Sequence, residues 1–159
     1  KIFELFPQAV VNLVQGKHSK SLKESLSLSE CNDRLKIEVQ PHINKLLTMM
    51  KKSDLAISAA GQTLQELARL GVPTVGVQIA ENQKNNILGW SSLGAVIPVM
   101  NFEVKDFKFA LTRAINSLRS KSQRQKISVR ASNLVDGQGA RRIASFVLKI
   151  YRSRNSPCI

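Results

Sequence analysis

A chain of 159 residues with 43% hydrophobic residues and a mean hydropathy of −0.11 has the make-up of one soluble globular domain. That length buries roughly two-thirds of its unfolded surface, enough for a sizeable core, and no apolar run approaches the ~20 residues of a membrane-spanning helix. The net charge of +13 is unevenly placed: residues 105–154 hold 13 Lys and Arg against two acids, Asp106 and Asp136, a surplus of +11, which leaves +2 for all the rest.

In chain order, Lys1-Ile2-Phe3-Glu4-Leu5-Phe6 opens without an initiator Met and reads as the middle of a helix. We expect an excised fragment or processed product whose partner domain is missing. Residues 9–14 read as a buried strand with Gln15-Gly16 as its exit turn, 19–28 as a surface helix, and 29–34 as a polar loop. Residues 35–39 alternate as a strand does, and Pro41 suits the first turn of a helix whose apolar stripe is Ile43, Leu46, Leu47 and Met50. Strand 54–58 ends in Ala59-Ala60-Gly61. A helix from 62 to 70 stops at Gly71, with Pro73 beyond, and strand 74–79 opens onto Glu81-Asn82-Gln83. A helix over 82–93, a fifth strand over 95–99, a helix from about Val104 and two more over 123–134 and 140–151 follow, with 152–159 fraying. Strands alternating with helices predict a Rossmann-like parallel sheet of five or six strands built from right-handed crossovers, with extra C-terminal helices.

Ligands of such sheets bind at the carboxyl ends of the strands. Two successive strands deliver polar groups there, beside a bare helix N-terminus suited to an anion, which suggests a phosphorylated ligand. Gly61, without a Cβ, lets backbone amides approach it. Thr63 offers its hydroxyl to a phosphate or caps the helix. Glu66 lies one helical turn inside; its two acceptor oxygens suit a pair of ribose hydroxyls, and the alternative is a solvated ion pair with Arg69. Glu81, Asn82 and Gln83 bind sugar hydroxyls or N-acetyl groups, or form the first turn of the next helix. Asp136 and Gly137 shape a turn before the last helix, and the alternative is contact with the ligand.

The stretch SAAGQTLQELARLGVP (58–73), then AENQ (80–83), then VDGQGA (135–140), resembles the second domain of two-domain, GT-B-type nucleotide-sugar enzymes. The nearest resemblance is to the UDP-sugar hydrolases of pseudaminic acid biosynthesis and to spore-coat polysaccharide biosynthesis proteins; the lipid II glycosyltransferase is a more distant relative. The likeness runs over roughly residues 8–151, in the family's order. It implies phosphate binding by Ala60, Gly61, Gln62 and Thr63, ribose binding by Glu66, sugar binding by Glu81, Asn82 and Gln83, and a cleft lined by Gly16 and His42. Gln62 replaces a small hydroxyl residue common in the family and Ala60 a frequent Gly, which leaves an amide cradle but weakens side-chain contacts to phosphate. The family's catalytic His sits in a Gly-rich motif of the first domain, and the sequence around His18 does not match it, so no catalytic residue is assigned.

The sequence-based expectation is therefore a single domain over 1–159, the C-terminal half of a UDP-sugar hydrolase acting in cell-surface polysaccharide biosynthesis. The alternatives are a UDP-sugar-dependent glycosyltransferase and a non-catalytic module binding anions or nucleic acid. Expected partners are a UDP-sugar, the protein's own N-terminal domain and, through the basic helices, an anionic membrane surface. No aromatic side chain interleaves with the charges between Lys121 and Arg142, which argues against nucleic acid. Cys31 and Cys158 form neither a disulfide scaffold nor a metal-ligand spacing, and neither His18 nor His42 adjoins a cysteine or an acidic cluster. A reduced, cytoplasmic protein without metal or cofactor is the expectation.

Overall fold

The computed structural model describes residues 2–16, 33–100, 103 and 105–154. The chain runs α1 (Ile2–Leu5), β1 (Val11–Gln15), β2 (Leu35–Val39), α2 (Ile43–Lys51), β3 (Ala56–Ala59), α3 (Thr63–Arg69) and β4 (Thr74–Val77). A 3-10 turn (Glu81–Gln83), α4 (Lys84–Ser92), β5 (Ile97–Val99), α5 (Phe107–Ser117), α6 (Lys121–Leu134) and α7 (Gly139–Arg154) complete it. The helix expected over 19–28 and most of the loop after it lie outside the described residues.

All five expected strands form, and every pair is parallel, as βαβ connections require. They fall into two hydrogen-bonded groups rather than one continuous ladder: β1 beside β2, and β3-β4-β5 with β4 central. Among the described residues there is no sixth strand. Each residue of β4 is buried, and Thr74-Val75-Gly76-Val77 accordingly lacks polar alternation. The strand runs as far as Val77, short of Ile79, because the Ile79 amide turns to a side-chain acceptor.

The main core lies on one face of this sheet. Val75, Val77 and Val99 meet Ala114, Ile115 and Leu118 of α5 and its following turn, with Ile127 of α6. The expected stripe Phe107, Leu111, Ala114, Ile115 and Leu118 is therefore the buried face of α5, although the helix begins at Phe107 rather than near Val104. The opening segment is helical, as expected, over Ile2–Leu5, and Ile2, Leu5 and Phe6 pack on the same cluster. Arg34 fixes it from the other side, its guanidinium 4.6 Å from the centre of the Phe3 ring and donating to the Pro7 carbonyl.

Helix ends explain most shifts from the expected boundaries. His42, not Pro41, starts α2: its Nδ1 accepts from the Asn44 amide at 3.4 Å. Ser120 Oγ accepts from the Gln123 amide at 3.4 Å, so α6 starts at Lys121 instead of 123. Gly71 ends α3 as expected, at φ 67°, with its amide and that of Val72 bonded back to the carbonyls of Ala68 and Leu67, each at 2.9 Å. Helix α7 continues to Arg154, past the point where fraying was expected.

Two further clusters place the helices around the strand ends. Ala60, Leu64, Ile87 and Val96 join α3, α4 and the start of β5. Met50, Leu67 and Val72, with Leu46 and Leu70, set α2 beside α3. No residue of α7 is buried: Ile143, Phe146, Val147, Ile150 and Tyr151 recur along it at helical spacing, and all are exposed. No described helix is long and apolar enough to cross a membrane.

Candidate functional site

β3 and β4 are parallel neighbours, with Ala59 opposite Val77, so the turns leaving them emerge side by side at one edge. The Ala60 amide donates to the Val77 carbonyl at 2.8 Å, which fixes where the first turn begins. Ala60 itself is fully buried. Beyond it the chain opens outward. A Cβ built on Gly61 would meet nothing within 4 Å, and Gly61 is not among the positive-φ glycines, so the fold's own packing does not require glycine there. The space that a side chain would take there is empty.

Helix α3 starts at once. The Leu64 amide bonds the Gly61 carbonyl at 3.2 Å and the Gln65 amide bonds the Gln62 carbonyl at 2.9 Å. Gln62 is the N-cap, and its side chain makes no cap bond. Thr63 is the first helical residue rather than the cap, so the capping role weighed for it does not apply. The leading amides of α3 thus point out of the strand end without an acceptor from a capping side chain.

Glu66 projects from the exposed face of α3, one turn on. Among the described residues the alternative partner foreseen for it, Arg69, forms no ion pair with it: Arg69 Nε sits 3.3 Å from where a Cβ of Gly137 would stand, against the turn before α7. Glu66 and Arg69 border a shallow hollow of about 270 Å³ with Leu47, Gln65, Leu70 and Val135. A second hollow, of about 310 Å³, lies along α4 beside Leu134. Asn85, Asn86, Gly89, Trp90 and Leu93 line its α4 side. The edge at Gly61 joins an unfilled side-chain position to the exposed polar side chains of Gln62 and Glu66.

The second turn is tied more tightly. Buried Gln78 donates from Nε2 to Glu81 Oε2 at 3.3 Å, and Lys84 Nζ lies 3.5 Å from Glu81 Oε1. Gln83 Oε1 accepts from the Ile79 amide at 3.1 Å. Glu81 and Gln83 thus hold the 3-10 turn that leads into α4, the structural alternative foreseen for them, and Gln83 keeps its amide NH2 for other partners. Asn82, between them, is exposed. Sequence reasoning missed Asn86, whose Nδ2 donates to the Ala60 carbonyl at 2.7 Å. The signal was available: an amide side chain next to core Ile87, in a helix that opens Lys84-Asn85-Asn86.

Gly16 and His42 stand at the carboxyl end of the other strand pair, where the Gln40 amide bonds the Gln15 carbonyl at 3.0 Å. His42 is exposed and serves as the cap of α2. Asp136 shapes the turn before α7, accepting from the Gln138 amide at 2.9 Å and pairing with Arg142. The Arg142 hydrogen bond first, then that of the Gln138 amide, hold the Asp136 carboxyl down at about 2. Among the described residues no group of His, Cys, Asp and Glu could hold a metal ion.

Parallel strands flanked by helices, with an open glycine turn after one strand and a polar turn after the next, define an α/β domain of the kind that forms the C-terminal half of GT-B enzymes. Residues 3–147 match the model of the glycosyltransferase family 28 C-terminal domain, and the chain belongs to that family. The fold is similar to that of a crystal structure of MurG from Acinetobacter baumannii, with a TM-score of 0.67 and 21% identity. That similarity covers 89% of this chain and 42% of the MurG chain, so the chain spans less than half of that structure. No curated protein matches the sequence. The comparisons give no support to the hydrolase family that the sequence resembles and favour the glycosyltransferase alternative.

Proposed function

We propose that this chain is the donor-binding half of a glycosyltransferase that takes its sugar from a UDP-sugar. The family match over residues 3–147 carries this reading. In it, the nucleoside diphosphate meets the backbone of Ala60-Gly61 and the leading amides of Gln62 and Thr63. Glu66 accepts the two ribose hydroxyls, and Asn82, with the free amide NH2 of Gln83, meets the sugar. Glu81 supports that turn through Gln78 and Lys84. During transfer the leaving diphosphate gains negative charge, and backbone donors fixed in advance stabilise it without reorganising. A UDP-sugar hydrolase would need the same donor contacts; the family match favours transfer.

The acceptor side and the catalytic base belong in this reading to an N-terminal domain. The exposed apolar stripe of α7 supports a docking face for it: a 16-residue helix with no buried residue gains its stability from whatever covers that stripe. Gly16 and His42 would line the side of the cleft nearest that domain.

Calorimetry with UDP, UMP and NAD tests the site. UDP should bind most tightly, because UMP fills the diphosphate position only in part and the turn carries no dinucleotide fingerprint. Equal binding of the three, or none, refutes the assignment.

A further inference from the structure

We propose that Asn86 is a positioning residue for the diphosphate, locking the Ala60-Gly61 turn to the helix that follows the sugar-binding turn. The inference rests on the donor site proposed above. Two strand ends form that site, and a covalent path of some twenty residues separates Gly61 from Glu81. Their relative placement therefore depends on contacts across the edge.

The Ala60 amide is bonded to β4 through the Val77 carbonyl. The Ala60 carbonyl stands outside the ladder of α3, whose first backbone bonds go to the carbonyls of Gly61 and Gln62. Asn86 Nδ2 reaches it at 2.7 Å from a position 26 residues away. A buried carbonyl without a partner costs about as much as a lost hydrogen bond, so this contact sets the tilt of the peptide that leads into Gly61.

Asn86 is itself rigidly mounted. Its neighbour Ile87 is fully buried against Ala60, Leu64 and Val96. The approach of α4 to the sheet depends on Gly76 in β4: a Cβ there would stand 2.8 Å from Val96 Cγ1 and 3.5 Å from Ile87 Cδ1. Sheet, α4 and the Ala60 turn thus form one packed unit, with Asn86 as a second polar link beside the Ala60 amide–Val77 carbonyl bond. Glu66, on the outer face of α3, is not part of that link. The diphosphate therefore depends on Asn86 and the nucleoside does not.

The test is calorimetry of UDP and of uridine with the unaltered protein, Asn86→Ala and Asn86→Asp, alongside thermal unfolding. Loss of one hydrogen bond that orients donors should weaken UDP binding by Asn86→Ala roughly tenfold, while uridine changes less than about twofold. Asn86→Asp keeps the side-chain shape but, ionised, cannot donate to Ala60. Its UDP affinity, relative to that of the unaltered protein at each pH, should rise as the pH falls and the carboxyl regains a proton to donate. Such a recovery would not follow from general loosening of the fold. Unchanged UDP affinity in Asn86→Ala, equal weakening of UDP and uridine, or a flat relative pH profile for Asn86→Asp each overturns the proposal while leaving the donor site standing. Failure of the unaltered protein to bind UDP removes the donor site and this proposal with it.

Discussion

Replacing Glu66 by Ala separates a ligand-binding role from a structural one. The carboxylate lies on the exposed face of α3, and the Arg69 that would have paired with it is packed against Gly137. Truncation should therefore change folding stability by no more than about 0.5 kcal/mol, the usual range for a surface site without special contacts. Binding should respond far more. Hydrogen bonds to a charged group are worth about 1.5–3 kcal/mol, so loss of the ribose contacts weakens UDP roughly 10- to 100-fold. The discriminating ligand is 2′,3′-dideoxy-UDP, which lacks the hydroxyls and should bind both proteins alike. Calorimetry with the two ligands, plus a thermal unfolding curve for each protein, gives the complete thermodynamic cycle. Equal weakening of both ligands, or a large drop in unfolding temperature, would show that Glu66 acts through the fold and that its ribose role is wrong.

Two more outcomes test the framework around the site. Gly71→Ala should destabilise the protein by about 1–2 kcal/mol in urea unfolding, because φ is 67° there and the new Cβ would stand 3.0 Å from Ser128 Oγ; a neutral result would mean that the α3–α6 junction yields easily. Asp136 should titrate by NMR near 2, below its ordinary 3.8, and Arg142→Ala should move the midpoint upward. The sign follows from the depressed value: what the Asp136–Arg142 pair adds to the start of α7 is fully present above about pH 4 and fades as the pH falls through 2. A midpoint that ignores the substitution would rule out Arg142 as the main cause.

Local signals account for what the sequence predicted well. The buried strand at 74–77, the stripe from Phe107 to Leu118, and the Gly71 stop each reflect one element meeting a uniform environment, so the residue pattern carries the answer. Grouping the strands as β1-β2 and β3-β4-β5 depends on pairing between chain segments, which periodicity does not encode. The site divides along the same line. Gly61 and Glu66 belong to one turn-helix unit, so local pattern places them in the fold, while the ribose role of Glu66 came only with the family resemblance. Gln83 bonding the Ile79 amide and Asn86 bonding the Ala60 carbonyl depend on how α4 lands on the sheet, and only coordinates supply that. The boundary at His42 was missed for a smaller reason: an imidazole nitrogen can cap a helix, and Pro41 gave a plausible start one residue before the cap.

The division of the strands also bears on cooperativity. Among the described residues no ladder bond joins β1-β2 to β3-β4-β5, and the first pair is half-exposed apart from Gln15, whereas β4 is buried throughout. Local opening free energies follow burial and backbone pairing, so amide protons of β1 and β2 should exchange with solvent ahead of those in β4. The turns after β3 and β4 are rooted in the buried part, and the turns that hold Gly16 and His42 in the half-exposed one. A ligand spanning both would tie a loosely held segment to a firmly held one, and its arrival would register in exchange rates at Val11–Gln15 before any displacement at Gly61 became measurable.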